Sequence, residues 1–199
     1  MARNVEIKAR LGPVGSIERI EPQVAAIAGA GPTLIAQDDR FFACPHGRLK
    51  LRVFADGRGE LIFYQRADEG GPKTSFYRRS EVGDPESMGA LLAQAHGEIG
   101  RVRKQRWLYL VGRTRVHLDR VEGLDDHLEL EVVLTEGEAE AVGVAEAHGL
   151  MHRLGLGPDC LVRGAYLDLL RAAPPIPTPI EPDDPGGTRW NTAAGSSRA

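Results

Sequence analysis

The chain has 199 residues, 42% of them hydrophobic and 27% charged, with a formal net charge of -3; it can bury one sizeable core, and its charge balance excludes coating nucleic acid through bulk positive charge. Two cysteines, Cys44 and Cys160, are too few for a disulfide scaffold and lack CxxC spacing, which excludes a disulfide-stapled secreted class. With no signal-like apolar run and no uncharged apolar stretch approaching about 18 residues, the expectation is a soluble cytoplasmic protein: one domain, residues 1–173, and a tail.

The first element is a strand, because from Val5 onward apolar residues alternate with Asn4, Glu6, Lys8 and Arg10. Next, Ile17, Ile20, Val24 and Ile27 fall at helical spacing, with Pro22 expected to kink or split the helix and Gly29, Gly31 and Pro32 to end it. Two alternating runs flank Ala55-Asp56-Gly57-Arg58-Gly59, which reads as a hairpin. Asp84-Pro85 opens a second helix, a capping side chain before a proline at the first helical position, with Met88, Leu91, Leu92 and Ala95 as its buried stripe and Gly97 as its end.

Three strands joined by short links follow from about Val102 to Leu134, an antiparallel meander. Helical character returns between Gly137 and Leu154. DCLVRGAYLDLL reads as a last short helix with Leu161, Ala165, Leu169 and Leu170 on its dry side. Residues 174–199, dense in Pro, Gly and Ser, are expected to be disordered.

Every predicted strand has one strongly charged face. Lys50 and Arg52 oppose Leu49, Leu51 and Val53; Lys104 and Arg106 oppose Trp107 and Tyr109; Arg115, His117 and Asp119 oppose Val116 and Leu118; Glu129 and Glu131 oppose Leu128, Leu130 and Val132. Solvated sheet faces are the ordinary explanation. However, like charges recur here two residues apart, where they repel unless a ligand or ion answers them. A sheet closed into a barrel would gather Lys8, Arg10, Lys50, Arg52, Lys104, Arg106 and Arg115 around one lumen with Glu6, Asp119, Glu129 and Glu131. Arg and Lys suit phosphate oxygens, and clustered carboxylates suit Mg²⁺ or Mn²⁺, so this reading describes a metal-bound polyphosphate.

Those residues carry a resemblance to the CYTH superfamily, the class IV adenylate cyclases and thiamine triphosphatases, also called triphosphate tunnel metalloenzymes. Its opening E-x-E-x-K is similar to Asn4-Val5-Glu6-Ile7-Lys8, and its basic strand to Arg48-Leu49-Lys50-Leu51-Arg52. Tyr64-Gln65-Arg66, Gly71-Pro72-Lys73-Thr74-Ser75, Lys104-Gln105-Arg106, His117-Leu118-Asp119 and Glu129-Leu130-Glu131 follow in the family's order. The resemblance implies an α+β fold, a closed eight-stranded antiparallel barrel with flanking helices. It further implies phosphate binding by Lys8, Lys50, Arg52, Arg66, Lys73, Lys104, Arg106 and Arg115, metal binding (Mg²⁺ or Mn²⁺) by Glu6, Asp119, Glu129 and Glu131, and catalytic roles for Lys8, Lys73 and Asp119. Asn4 departs from the pattern, standing where the family has its first glutamate, and an amide oxygen is a weaker metal ligand than a carboxylate.

The activity so implied is metal-dependent turnover of a small-molecule triphosphate, class IV adenylate cyclase-like conversion of ATP to cyclic AMP and pyrophosphate. Hydrolysis of inorganic, nucleoside or thiamine triphosphate is the alternative, and a non-catalytic nucleotide- or polyphosphate-binding module is a third reading. No nucleic-acid or membrane partner is expected, and a homodimer is left open. His148 and His152 lack the Glu of HExxH and read as surface or packing residues, Gly29-Ala30-Gly31 reads as a helix terminator, and Trp107 and Tyr109 as packing residues. Tyr166 and Asp168 read as part of an amphipathic helix packed on the barrel rather than a closure of its mouth; Arg78 and Arg79 read as solvated charges.

Overall fold

The structure, a computed structural model, describes residues 2–66 and 73–173. The tail from 174 and the Gly71-Pro72 pair lie outside the described residues, as do the side chains of Arg66 and Lys73. Eight strands form a closed barrel: β1 (Ala2–Arg10), β2 (Ala30–Phe42), β3 (Arg48–Phe54), β4 (Gly59–Arg66), β5 (Lys73–Val82), β6 (Glu98–Val111), β7 (Thr114–Val121) and β8 (Asp126–Val133). Around the ring their order is β1-β5-β4-β3-β2-β6-β7-β8, and every pair is antiparallel.

The usual arrangement of a small barrel is inverted, with the charged set inside and the apolar set outside. Val5, Ile7 and Ala9 of β1, Val116 and Leu118 of β7 and Leu128, Leu130 and Val132 of β8 point outward, fully buried. They are covered by α1 (Ile17–Ile27), through Ile17, Ile20 and Val24, and by α3 (Glu140–Arg153), through Ala147, Leu150 and Met151. A side chain at Gly143 would come within 2.9 Å of Val5 and 2.7 Å of Leu134, so the glycine lets α3 lie directly on the barrel. This outer shell is the main core, and it leaves the lumen to polar groups.

The 55–59 turn closes as expected, with Phe54 N donating to Arg58 O at 2.9 Å and Gly57 at φ +83°. In α2 (Pro85–His96), Asp84 accepts from Ser87 N at 3.0 Å as a cap. Three expectations are corrected. Pro22 does not split α1, which runs as one helix with its apolar residues seated on the barrel on either side of the proline. The buried face of α2 is Gly89 and Leu92 with Met88 and Ala93, while Leu91 is 60% exposed; Gly89 leaves room for the tip of the Arg40 side chain against the helix. The last helix starts only at Tyr166: α4 (Tyr166–Ala172) follows a 3-10 turn at Pro158–Cys160 and an extended stretch in which Leu161 bridges Ala9. Among the described residues no helix is long and apolar enough to cross a membrane.

Candidate functional site in the barrel lumen

Inward-facing residues of all eight strands enclose a cavity of about 410 Å³. Among its described lining residues are seven lysines and arginines against five acidic groups, so the wall carries an excess of positive charge. Antiparallel register decides which groups meet. Arg106 stands opposite Asp119 across β6 and β7, His117 opposite Glu129 and Arg115 opposite Glu131 across β7 and β8, and Lys8 opposite Glu129 across β1 and β8.

Asp39 is the hub of one wall. Fully buried, it accepts from Lys50 Nζ at 2.7 Å, from Arg52 Nε at 2.7 Å and Nη2 at 2.9 Å, and from Lys104 Nζ at 3.4 Å. One carboxylate cannot offset three cations in a dry site. Burial, then the charge of Arg52, lowers the Lys50 pKa to about 7 against the pull of Asp39. Burial and the neighbouring Arg106 and Arg52 bring Lys104 to about 8. Both lysines thus titrate near neutrality, and an anion entering the lumen would draw them back to the charged form.

The facing wall holds Arg106, which donates to both oxygens of Asp119 at 2.6 Å and to Glu129 Oε2 at 2.7 Å. Lys8 Nζ lies 3.5 Å from Glu129 Oε1 and 3.6 Å from the centre of the Tyr166 ring. Arg115 Nη1 donates to Glu131 Oε2 at 3.2 Å. Burial opposes the ionised form of Glu129, but Lys8, the neighbouring His117 and Arg106 hold its carboxyl well below the usual range.

One end of the lumen is closed. Tyr166 and Leu167 of α4 pack on Phe41, Val102 and Val121, the Tyr166 hydroxyl donates to Asp119 Oδ2 at 2.8 Å, and Arg48 donates to Asp168 Oδ2 at 2.8 Å. Tyr166 lines the cavity, so α4 is a closure of the barrel and not merely a helix on its surface, correcting the sequence reading. Exposure rises toward the other end, from 3% for the side chains of Lys8 and Lys104 to 36% for Arg115 and 62% for Arg79. The half-buried apolar residues Ile35, Phe54 and Leu108 complete the lining.

Of the expected site residues, Glu6, Lys8, Lys50, Arg52, Lys104, Arg106, Arg115, Glu129 and Glu131 share this lumen. Arg10 does not: it is the exposed last residue of β1, beyond the enclosed section of the barrel. Asp119 has no exposed surface and is absent from the lining, because Arg106 and Tyr166 cover its oxygens. Asp39, Gln37, His117, Tyr166 and Arg79 join the site without having been predicted for it. The signal for His117 was available, since pairing β7 with β8 about the 122–125 turn sets it opposite Glu129.

His117, Glu129 and Glu131 each offer a ligand atom, all within 4.8 Å of one another. The Nδ1 of His117 is buried without a hydrogen-bond partner, 3.8 Å from Glu129 Oε2 and 3.7 Å from Glu131 Oε1. Those separations exceed a hydrogen bond but are within the span of a cation with ligand bonds of about 2.0–2.2 Å. The donor set therefore fits a divalent metal.

Comparison with known proteins agrees with this geometry. The CYTH domain profile matches residues 2–166, and members of that family are typically metal-dependent enzymes that act on triphosphates. No curated protein matches the sequence. The structure is similar to the PH1012 protein of Pyrococcus horikoshii OT3, at 25% identity and a TM-score of 0.73, over 84% of this chain and 99% of that one. It is also similar to a candidate adenylate cyclase of Vibrio parahaemolyticus, at 17% identity and 0.68, over 85% of this chain and 98% of that one. The barrel is shared with a chain of the Schizosaccharomyces pombe Mediator head module, at 10% identity and 0.58, over 78% and 95% of the two chains. From the profile match across nearly all of its described length, with the lumen geometry beside it, the chain belongs to the CYTH domain family.

Proposed function

We propose that this protein is a metal-dependent, class IV adenylate cyclase-like enzyme that converts ATP to cyclic AMP and pyrophosphate within the barrel lumen. The observation that carries the reading is the layout of the lining: buried cations at the α4 end, and Ile35, Phe54 and Leu108 in the same wall. A triphosphate matches the cations, whereas apolar lining has no use for inorganic triphosphate and suits a nucleoside.

Lys8, Lys50, Arg52, Lys104, Arg106 and Arg115 would clamp the phosphate oxygens, and Glu6, Glu129 and Glu131 would hold Mg²⁺ or Mn²⁺. When bound, the cation supplies charge neutralisation at phosphate oxygens. In the reaction the ribose 3′-oxygen forms a bond to the α-phosphorus, the bond from that phosphorus to the bridging oxygen breaks, pyrophosphate leaves and the hydroxyl proton passes to water. Preorganised charge does most of the work in such chemistry, and the Asp39 and Arg106 networks provide it.

A triphosphatase reading needs only the cationic wall at the closed end, without the apolar lining, where Lys8 and Lys104 would hold a terminal phosphate for attack by water. Incubation with ATP, inorganic triphosphate and thiamine triphosphate, each with Mg²⁺ or Mn²⁺, followed by chromatography of the products, separates the two. Cyclic AMP with pyrophosphate supports the cyclase; orthophosphate alone replaces it with a hydrolase. Tight binding without turnover would leave a binding module and overturn both.

A further inference from the structure

The reading above assigns the metal to carboxylates, yet the lumen offers those carboxylates little spare charge. Glu129 faces Lys8 at 3.5 Å and Arg106 at 2.7 Å, and Glu131 faces Arg115 at 3.2 Å. Asn4, 3% exposed, contributes an amide where the family resemblance expects a further carboxylate beside Glu6. Hard cations such as Mg²⁺ depend on ligand charge, and here much of it is already offset.

His117 offers something different. Its side chain is 4% exposed and lines the lumen, and its buried Nδ1 makes no hydrogen bond. A buried nitrogen left without a partner carries an uncompensated desolvation cost, and the two carboxylate oxygens at 3.7 and 3.8 Å stand too far away to remove that cost. A cation among the three groups would remove it.

We propose that His117 is a metal ligand in this chain, joining Glu129 and Glu131 in a mixed nitrogen and oxygen site that prefers borderline first-row cations such as Zn²⁺ and Co²⁺ to Mg²⁺. An imidazole donates an electron pair without needing net charge, and it ranks Co²⁺ and Zn²⁺ above the alkaline-earth ions. The inference rests on the metal-assisted reading of the lumen but is scored without substrate.

Proton NMR of the full chain loaded with Co²⁺ should show an exchangeable imidazole resonance displaced far outside the diamagnetic range. Calorimetric titration with Zn²⁺ and then with Mg²⁺, free of phosphate, should give at least about a tenfold preference for Zn²⁺. His117→Gln should lose the displaced resonance and about tenfold or more of the Zn²⁺ affinity, with Mg²⁺ binding nearly unchanged. Absence of the displaced resonance in the unmodified protein, or equal affinity for the two ions, would overturn the proposal without depending on a variant. A Co²⁺ signature together with failure to turn over ATP would support the proposal while striking the proposed activity. Turnover with Mg²⁺ in a protein lacking the signature would strike the proposal and leave the activity standing.

Discussion

Asp39→Asn removes a single negative charge from a site where it faces three cations at 2.7–3.4 Å and is itself only 1% exposed. Breaking a buried ion pair by deleting one partner costs about 3–5 kcal/mol, because the surviving charge is left uncompensated. For a domain of this size each kcal/mol is worth about 2–4 °C of melting temperature, so the variant should unfold roughly 10 °C below the parent. The cost is held to that range because the lysines can shed their protons, an escape open to Lys50 and Lys104 but closed to Arg52.

That escape gives the deficit a definite pH dependence. Lys50 and Lys104 have native pKa values of about 7 and about 8, against an ordinary 10.5. Between those limits the unfolded chain holds protons that the folded chain does not, so the parent gains stability as pH rises from about 7 toward about 10. At pH 6 the parent holds both lysines charged against Asp39, whereas the variant must keep those charges unanswered or give up the protons; at pH 9 the lysines are largely neutral in both proteins and chiefly Arg52 feels the loss. Thermal unfolding followed by circular dichroism should therefore show a larger gap between parent and variant at pH 6 than at pH 9. A variant melting within about 2 °C of the parent at pH 6, or a gap that widens with pH, would refute the argument.

The same two lysines predict proton uptake on ligand binding. Inorganic triphosphate added at pH 8 should recharge Lys50 and Lys104, and its binding heat should vary with the ionisation enthalpy of the buffer; a heat independent of buffer would count against it. Tyr166→Phe keeps the ring beneath Lys8 but removes the hydrogen bond to the Asp119 carboxylate, an expected loss of about 1.5–3 kcal/mol in urea denaturation, and an unchanged midpoint would deny α4 its role in securing the closed end. Asn4→Glu adds a carboxylate to the lumen wall and should raise Mg²⁺ affinity in calorimetry; weaker binding would place Asn4 outside the metal's reach.

Strands with one apolar face were legible because α1 and α3 supply a dry surface outside the barrel, so that Val5, Ile7 and Ala9 or Leu128, Leu130 and Val132 alternate cleanly with charge. β2 and β5 have no such contrast. Ile35 and Phe41 of β2 face the lumen beside Gln37 and Asp39, while Leu34 on its outer side is 62% exposed. In β5, Ser75, Tyr77 and Arg79 face inward and Phe76, 39% exposed, outward. Period-two reasoning needs one wet and one dry face, and where both faces are mixed the pattern vanishes, taking Asp39 with it. Tyr166 escaped for another reason, as nothing in a seven-residue helix states which end of a barrel it will cover.

What the sequence pattern could carry was the sorting of charge to one side; what it could not was the pairing within that side. Lys50, Arg52 and Lys104 repel one another along and across strands, and only the hidden strand β2 brings the acid that holds them together. Asp119, chosen for its motif, is used up by Arg106 and Tyr166, whereas His117, two residues away on the same face, keeps an unpaired nitrogen toward the carboxylates. Which of two neighbouring groups is spent on structure and which remains free for a ligand depends on partners from distant strands. The lumen is thus organised by its internal ion pairs as much as by its cations, and a test that perturbs Asp39 probes the binding wall more directly than removal of any one lysine would.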